Sequence, residues 1–164
     1  MKTLKQYILE SVDFGKADKL VERLATELSR IDRQVSVETC VGEDGWKEIC
    51  IEVPVPEDSF DKKELSKSFE RAAEKYGKEI GIGKPESVGD LIDFMLEWME
   101  SDEKSTYLPF PTEGDEVDPE ECAVTVAAFV ESVFHVYDLY TSGNTLNKVE
   151  KTVGKYIADI KKLM

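Results

Sequence analysis

The chain has 164 residues, 41% of them hydrophobic and 34% charged, and a formal charge of −14. This length and apolar share support one folded domain whose core needs no metal or disulfide staple, and they exclude a disordered chain. The negative charge argues against direct binding to a nucleic-acid backbone or to an anionic membrane surface, both of which require clustered Lys and Arg.

The opening stretch, MKTLKQYILES, is amphipathic at helical spacing. Leu4, Tyr7 and Ile8, with Ser11 or Val12, take one face, and Lys2, Lys5, Gln6 and Glu10 take the other. It has no continuous apolar region and no small-residue cleavage site, so it does not read as a secretory signal. Asp13 is the expected cap of the next helix, over residues 16–32, whose stripe is Leu20, Leu24, Leu28 and Ile31 with Val21 beside it.

Residues 34–41 and 46–55 alternate with period two around Gly42-Glu43-Asp44-Gly45 and predict an antiparallel hairpin. Two registers keep Val35, Val37, Thr39 and Val41 against Ile49, Ile51 and Val53. One sets Val37 opposite Ile51, the other Cys40 opposite Cys50. Pro54 and Pro56 end the second strand.

A helix is expected over 61–80, with Asp61 and Glu64 in capping-box spacing and a stripe of Leu65, Phe69, Ala72 or Ala73, Tyr76 and Ile80. Gly77, Gly81 and Gly83 break it. Another, mostly apolar, is expected over 87–100, followed by a Pro- and Gly-containing loop over 101–118. Asp118-Pro119 then starts a helix to about residue 140, too long for a strand despite its Val and Phe content. Its polar stripe is read as Glu121, Thr125, Ser132 and His135, and the rest as apolar, which makes it the central helix. Ser142-Gly143-Asn144 ends it and caps a last helix with Leu146, Val149, Val153, Ile157, Ile160 and Met164 inward. The expected fold is α+β and mostly helical: about five body helices and one hairpin over 13–164, preceded by the peptide 1–12.

No catalytic motif emerges. In YGKEIGIGKPES five residues separate Gly77 from Gly83, where a phosphate loop needs four, and Pro85 has no N–H to offer a phosphate. Val12-Asp13-Phe14-Gly15 holds the letters of a kinase magnesium motif without the other kinase elements. Cys40, Cys50, Cys122 and His135 show no chelating spacing, and three unpaired-looking cysteines fit ordinary thiols in a reducing compartment. The acidic run at 113–121 lacks the ligand spacing of a calcium loop. Trp46 and Trp98 read as packing residues. No metal or cofactor is expected.

Met1-Lys2-Thr3, Tyr7 and Ile8-Leu9-Glu10 followed by Ser11 resemble the capsid-targeting peptides of internal head proteins of T-even-type tailed bacteriophages. In that family the peptide brings cargo into the assembling prohead, and the prohead protease removes it after Ile-x-Glu or Leu-x-Glu. The resemblance covers residues 1–11 and implies a cut between Glu10 and Ser11. Leu9 is bulkier than the family's usual middle residue. It implies a non-enzymatic virion protein in the head or in the infected cytoplasm, bound to a head component or a host factor through Leu4, Tyr7 and Ile8. Two rival readings stand beside it: an acidic inhibitor of a host protein that mimics DNA, and an enzyme built on the Cys/His set.

Overall fold

The computed structural model describes residues 14–41, 47–53, 62–83 and 119–163. Four helices and one two-stranded antiparallel sheet lie among them: α1 (Phe14–Ser29), β1 (Ser36–Val41), β2 (Lys47–Glu52), α2 (Lys62–Ile80), α3 (Pro119–Thr141) and α4 (Leu146–Leu163). The α+β, mostly helical class is as expected. The helix expected over 87–100 and the peptide 1–12 lie outside the described residues.

α3 is the central element. Ala123, Val124 and Val126 through Val130 are buried, as are Val133, Phe134 and Val136, so it presents apolar surface around most of its circumference. A helix apolar on all sides is stable only in a core. α2 packs along α3 through Leu65, Phe69, Ala72, Ala73 and Tyr76, the predicted stripe. α4 packs on α3 and α1 through Val149, Val153, Tyr156, Ile157 and Ile160. α1 packs on the hairpin, setting Val21, Leu24, Ala25 and Leu28 toward Val35, Val37, Ile49, Ile51 and Val53. The sheet adopts the shorter register, with Val37 opposite Ile51, Cys40 opposite Glu48 and Cys50 opposite Glu38. Cys40 and Cys50 therefore do not face each other across the ladder.

Two helix ends differ from the sequence reading. Gly77 does not break α2 but lies buried inside it. The helix stops at Gly81, whose φ of 97° is open to glycine at little cost. The Ile82 N–H then bonds the Gly77 carbonyl at 3.0 Å, and Ile82 packs against the core, a Schellman ending. At the α3–α4 turn, Ser142 takes the left-handed conformation (φ 57°), and α4 is not capped by the Ser142-Gly143-Asn144 segment. Asp138, one turn back in α3, accepts from the Thr145 N–H at 2.9 Å, the Thr145 hydroxyl at 2.7 Å and the Leu146 N–H at 2.8 Å. One carboxylate thus satisfies two of the backbone donors at the start of α4, those of Thr145 and Leu146. The turn folds α4 back onto α3 and sets Leu146, at the start of α4, in one cavity wall with α2 residues.

Candidate functional site

A half-open cavity of about 90 Å³ lies where α2, α3 and the first turn of α4 meet. Ser68, Arg71 and Lys75 come from one face of α2, at offsets of three and seven residues. Glu131 and His135, four apart, come from α3, and Glu150 from α4. Its volume has room for a few waters and is well short of the roughly 300 Å³ at which cofactor-sized pockets begin.

One part of this wall is a buried carboxylate. Glu131 Oε1 accepts from the Tyr76 hydroxyl at 2.8 Å and lies 3.5 Å from Lys75 Nζ. Lys75 Nζ also lies 3.4 Å from the Tyr76 oxygen and 4.8 Å from the centre of its ring. Burial, and then the neighbouring Glu131 charge and hydrogen bond, push the Tyr76 phenol far above its ordinary range, so it stays protonated and donates. Both contacts fall on Oε1; no described residue bonds Oε2. Ser68 is buried, and its Oγ has no hydrogen-bond partner among the described residues. A second hydroxyl–carboxylate contact, Tyr137 to Asp32 at 3.0 Å, ties α3 to the α1–β1 loop. There Asp32 also accepts from the Gln34 N–H at 2.8 Å. Burial, and then Asp32, raise the Tyr137 phenol in the same way.

A serine nucleophile needs a base in hydrogen-bond contact, and no described residue makes that contact with Ser68. Among the described residues no group of three or more His, Cys, Asp or Glu is placed to hold a metal. None of the described helices is long and apolar enough to cross a membrane.

Of the residues singled out in the sequence, His135 lines this cavity. Cys40 and Cys50 fall in β1 and β2, and Cys122 in the first turn of α3. Leu4, Tyr7, Ile8, Glu10, Ser11, Trp46, Trp98 and most of the acidic run lie outside the described residues. The sequence reading missed Glu131, which it counted among the apolar positions of α3. A lone carboxylate inside Ala-Phe-Val-Glu-Ser-Val-Phe is itself a signal, because buried carboxylates are rare unless paired.

The charge of the chain is unevenly distributed. The described residues carry 17 Lys and Arg against 17 Asp and Glu, which cancel. The whole excess of −14 belongs to the intervening stretches, and residues 84–118 alone hold 11 acidic residues against Lys84 and Lys104. On the framework, carboxylates alternate with cations, as in the pairs Arg23–Asp159, Glu27–Lys155 and Glu74–Lys78. No protein-family model, curated protein or solved structure matches this chain.

Proposed function

We propose that the chain is a non-enzymatic bacteriophage protein carried in or on the virion head, with residues 1–11 as its targeting peptide. The observation that carries this reading is the coincidence, in one short stretch, of an amphipathic Met-Lys start, Tyr7, and Ile8-x-Glu10 before Ser11. Leu4, Tyr7 and Ile8 form the face read by a head component. The position of α1 supports it: the first described helix begins at Phe14, so a cut after Glu10 leaves every described element whole. Mass spectrometry of purified virions tests the proposal. The expected result is the protein in particles, with its N-terminus at Ser11. Its absence from particles sinks the reading.

The charge distribution favours one second reading, an acidic inhibitor that binds a basic face of a host protein. Because the framework is neutral, the acidic contact in that reading is confined to the intervening stretches, residues 84–118 above all. A pull-down from infected cells with and without residues 1–10 separates the two. Loss of the partner on deletion supports the address. Retention of a host protein supports the inhibitor.

A further inference from the structure

We propose that the cavity between α2, α3 and α4 binds a small zwitterion, a free α-amino acid with hydrogen or methyl as its side chain. The walls segregate charge by element. Both cations, Arg71 and Lys75, come from α2, and both carboxylates, Glu131 and Glu150, come from α3 and α4. An ion of either sign meets a like charge on one wall, whereas a ligand with two opposite ends is matched by both.

The groups still open to a ligand fit the same description. Lys75 and Tyr76 occupy Glu131 Oε1. Arg71 and Glu150 line the cavity without an ion pair among the described residues. The Ser68 hydroxyl is 7% exposed and unpartnered, a state that a buried donor leaves by binding water or a ligand. A ligand carboxylate accepts from Ser68 and Arg71, and its ammonium donates to Glu150 and to Glu131 Oε2. The volume of about 90 Å³ admits few non-hydrogen atoms and shuts out longer side chains. This inference rests on the framework, so it stands or falls separately from the role of the opening peptide.

Calorimetric titration of the full chain with glycine tests it. Acetate and methylammonium serve as the two half-ligands and phenylalanine as the oversized one. Expected is saturable glycine binding, at least about tenfold weaker binding of acetate and of methylammonium, and none of phenylalanine. Arg71→Ala and Glu150→Gln, both on the outer wall, each weaken glycine binding at least about tenfold while circular dichroism stays unchanged. Absence of saturable glycine binding by the folded chain overturns the proposal and leaves a water-filled crevice. Acetate binding as tight as that of glycine overturns it in favour of a plain anion site.

Discussion

The seam between α2 and α3 and the seam between α1 and the hairpin bury similar apolar side chains, yet among the described residues only the first contains a buried charge. Leu24 and Leu28 pack in one core with Ile49 and Ile51, and no polar side chain of that seam is buried among the described residues. Phe69 and Tyr76 meet α3 with Glu131 in their midst. An apolar seam holds wherever its stripes overlap, because hydrophobic burial is non-directional. A seam with one carboxylate holds only where the carboxylate finds its phenol and its ammonium. Register along α2 and α3 is therefore chosen by three side chains as well as by volume.

The largest effects test what the two seams share. Leu28→Ala in the apolar seam and Phe69→Ala in the mixed one each remove a side chain exposed by 1% or less. Leu28→Ala should cost about 2–5 kcal/mol and Phe69→Ala about 3–5 kcal/mol, the ranges for emptying such core sites, read as a lower denaturant midpoint with an unchanged slope. A loss under about 1 kcal/mol at either site means that the seam is not packed as described.

Next in size is the test that separates the seams. Tyr76→Phe leaves the packing and removes one hydrogen bond to a charged group, at a cost of about 1.5–3 kcal/mol. Glu131→Gln keeps an acceptor and should cost less. If the pair acts as a unit, the double variant is less destabilised than the sum of the singles, by about 0.5–3 kcal/mol. Strict additivity means that the contact contributes nothing to register.

The mixed seam also predicts a response to alkali. Tyr76 has its folded pKa raised above the ordinary 10.0, so the folded chain holds a proton that the unfolded chain releases. The stability it contributes is complete below pH 10 and falls as pH climbs beyond it, and Tyr137 acts in the same direction. Denaturant midpoints measured from pH 8 to 11 should decline above pH 10. The decline should be shallower in Tyr76→Phe. An identical slope in the variant assigns the alkaline loss to other groups.

The sequence shows these seams unequally. Each described helix and strand is legible from its period, and the boundaries agree to within three residues, because one apolar face per element suffices to mark it. α3 is legible as central for the same reason: almost nothing on it asks for water. Glu131 escapes because a carboxylate inside an apolar run carries no label for its partner. Tyr76 shows on its own stripe as packing, and its hydroxyl is meaningful only once α2 and α3 are aligned. The cavity is harder still. It exists because Asp138 folds α4 back so that Glu150 joins Arg71 in lining one cavity, and three helices must be placed before any of its chemistry is visible. Gly77 and Gly81 look alike in sequence, and only the left-handed turn tells the terminator from the buried one.

The smallest effect lies on the α1 side, where charge is present but not buried. Arg23 pairs with Asp159 across the α1–α4 edge, with 46% of the arginine side chain exposed. Exposed pairs contribute up to about 1 kcal/mol, since solvent screens the attraction and two long side chains lose freedom. Arg23→Ala should therefore lower stability by no more than about 1 kcal/mol, and 1 M salt should erase most of the difference, the Debye length then being about 3 Å. Tyr76→Phe should keep most of its cost in the same salt, because its contact with Glu131 is buried. Equal salt sensitivity of the two variants removes the distinction between a surface pair and a buried one, and with it the reason for assigning the α2–α3 register to Glu131.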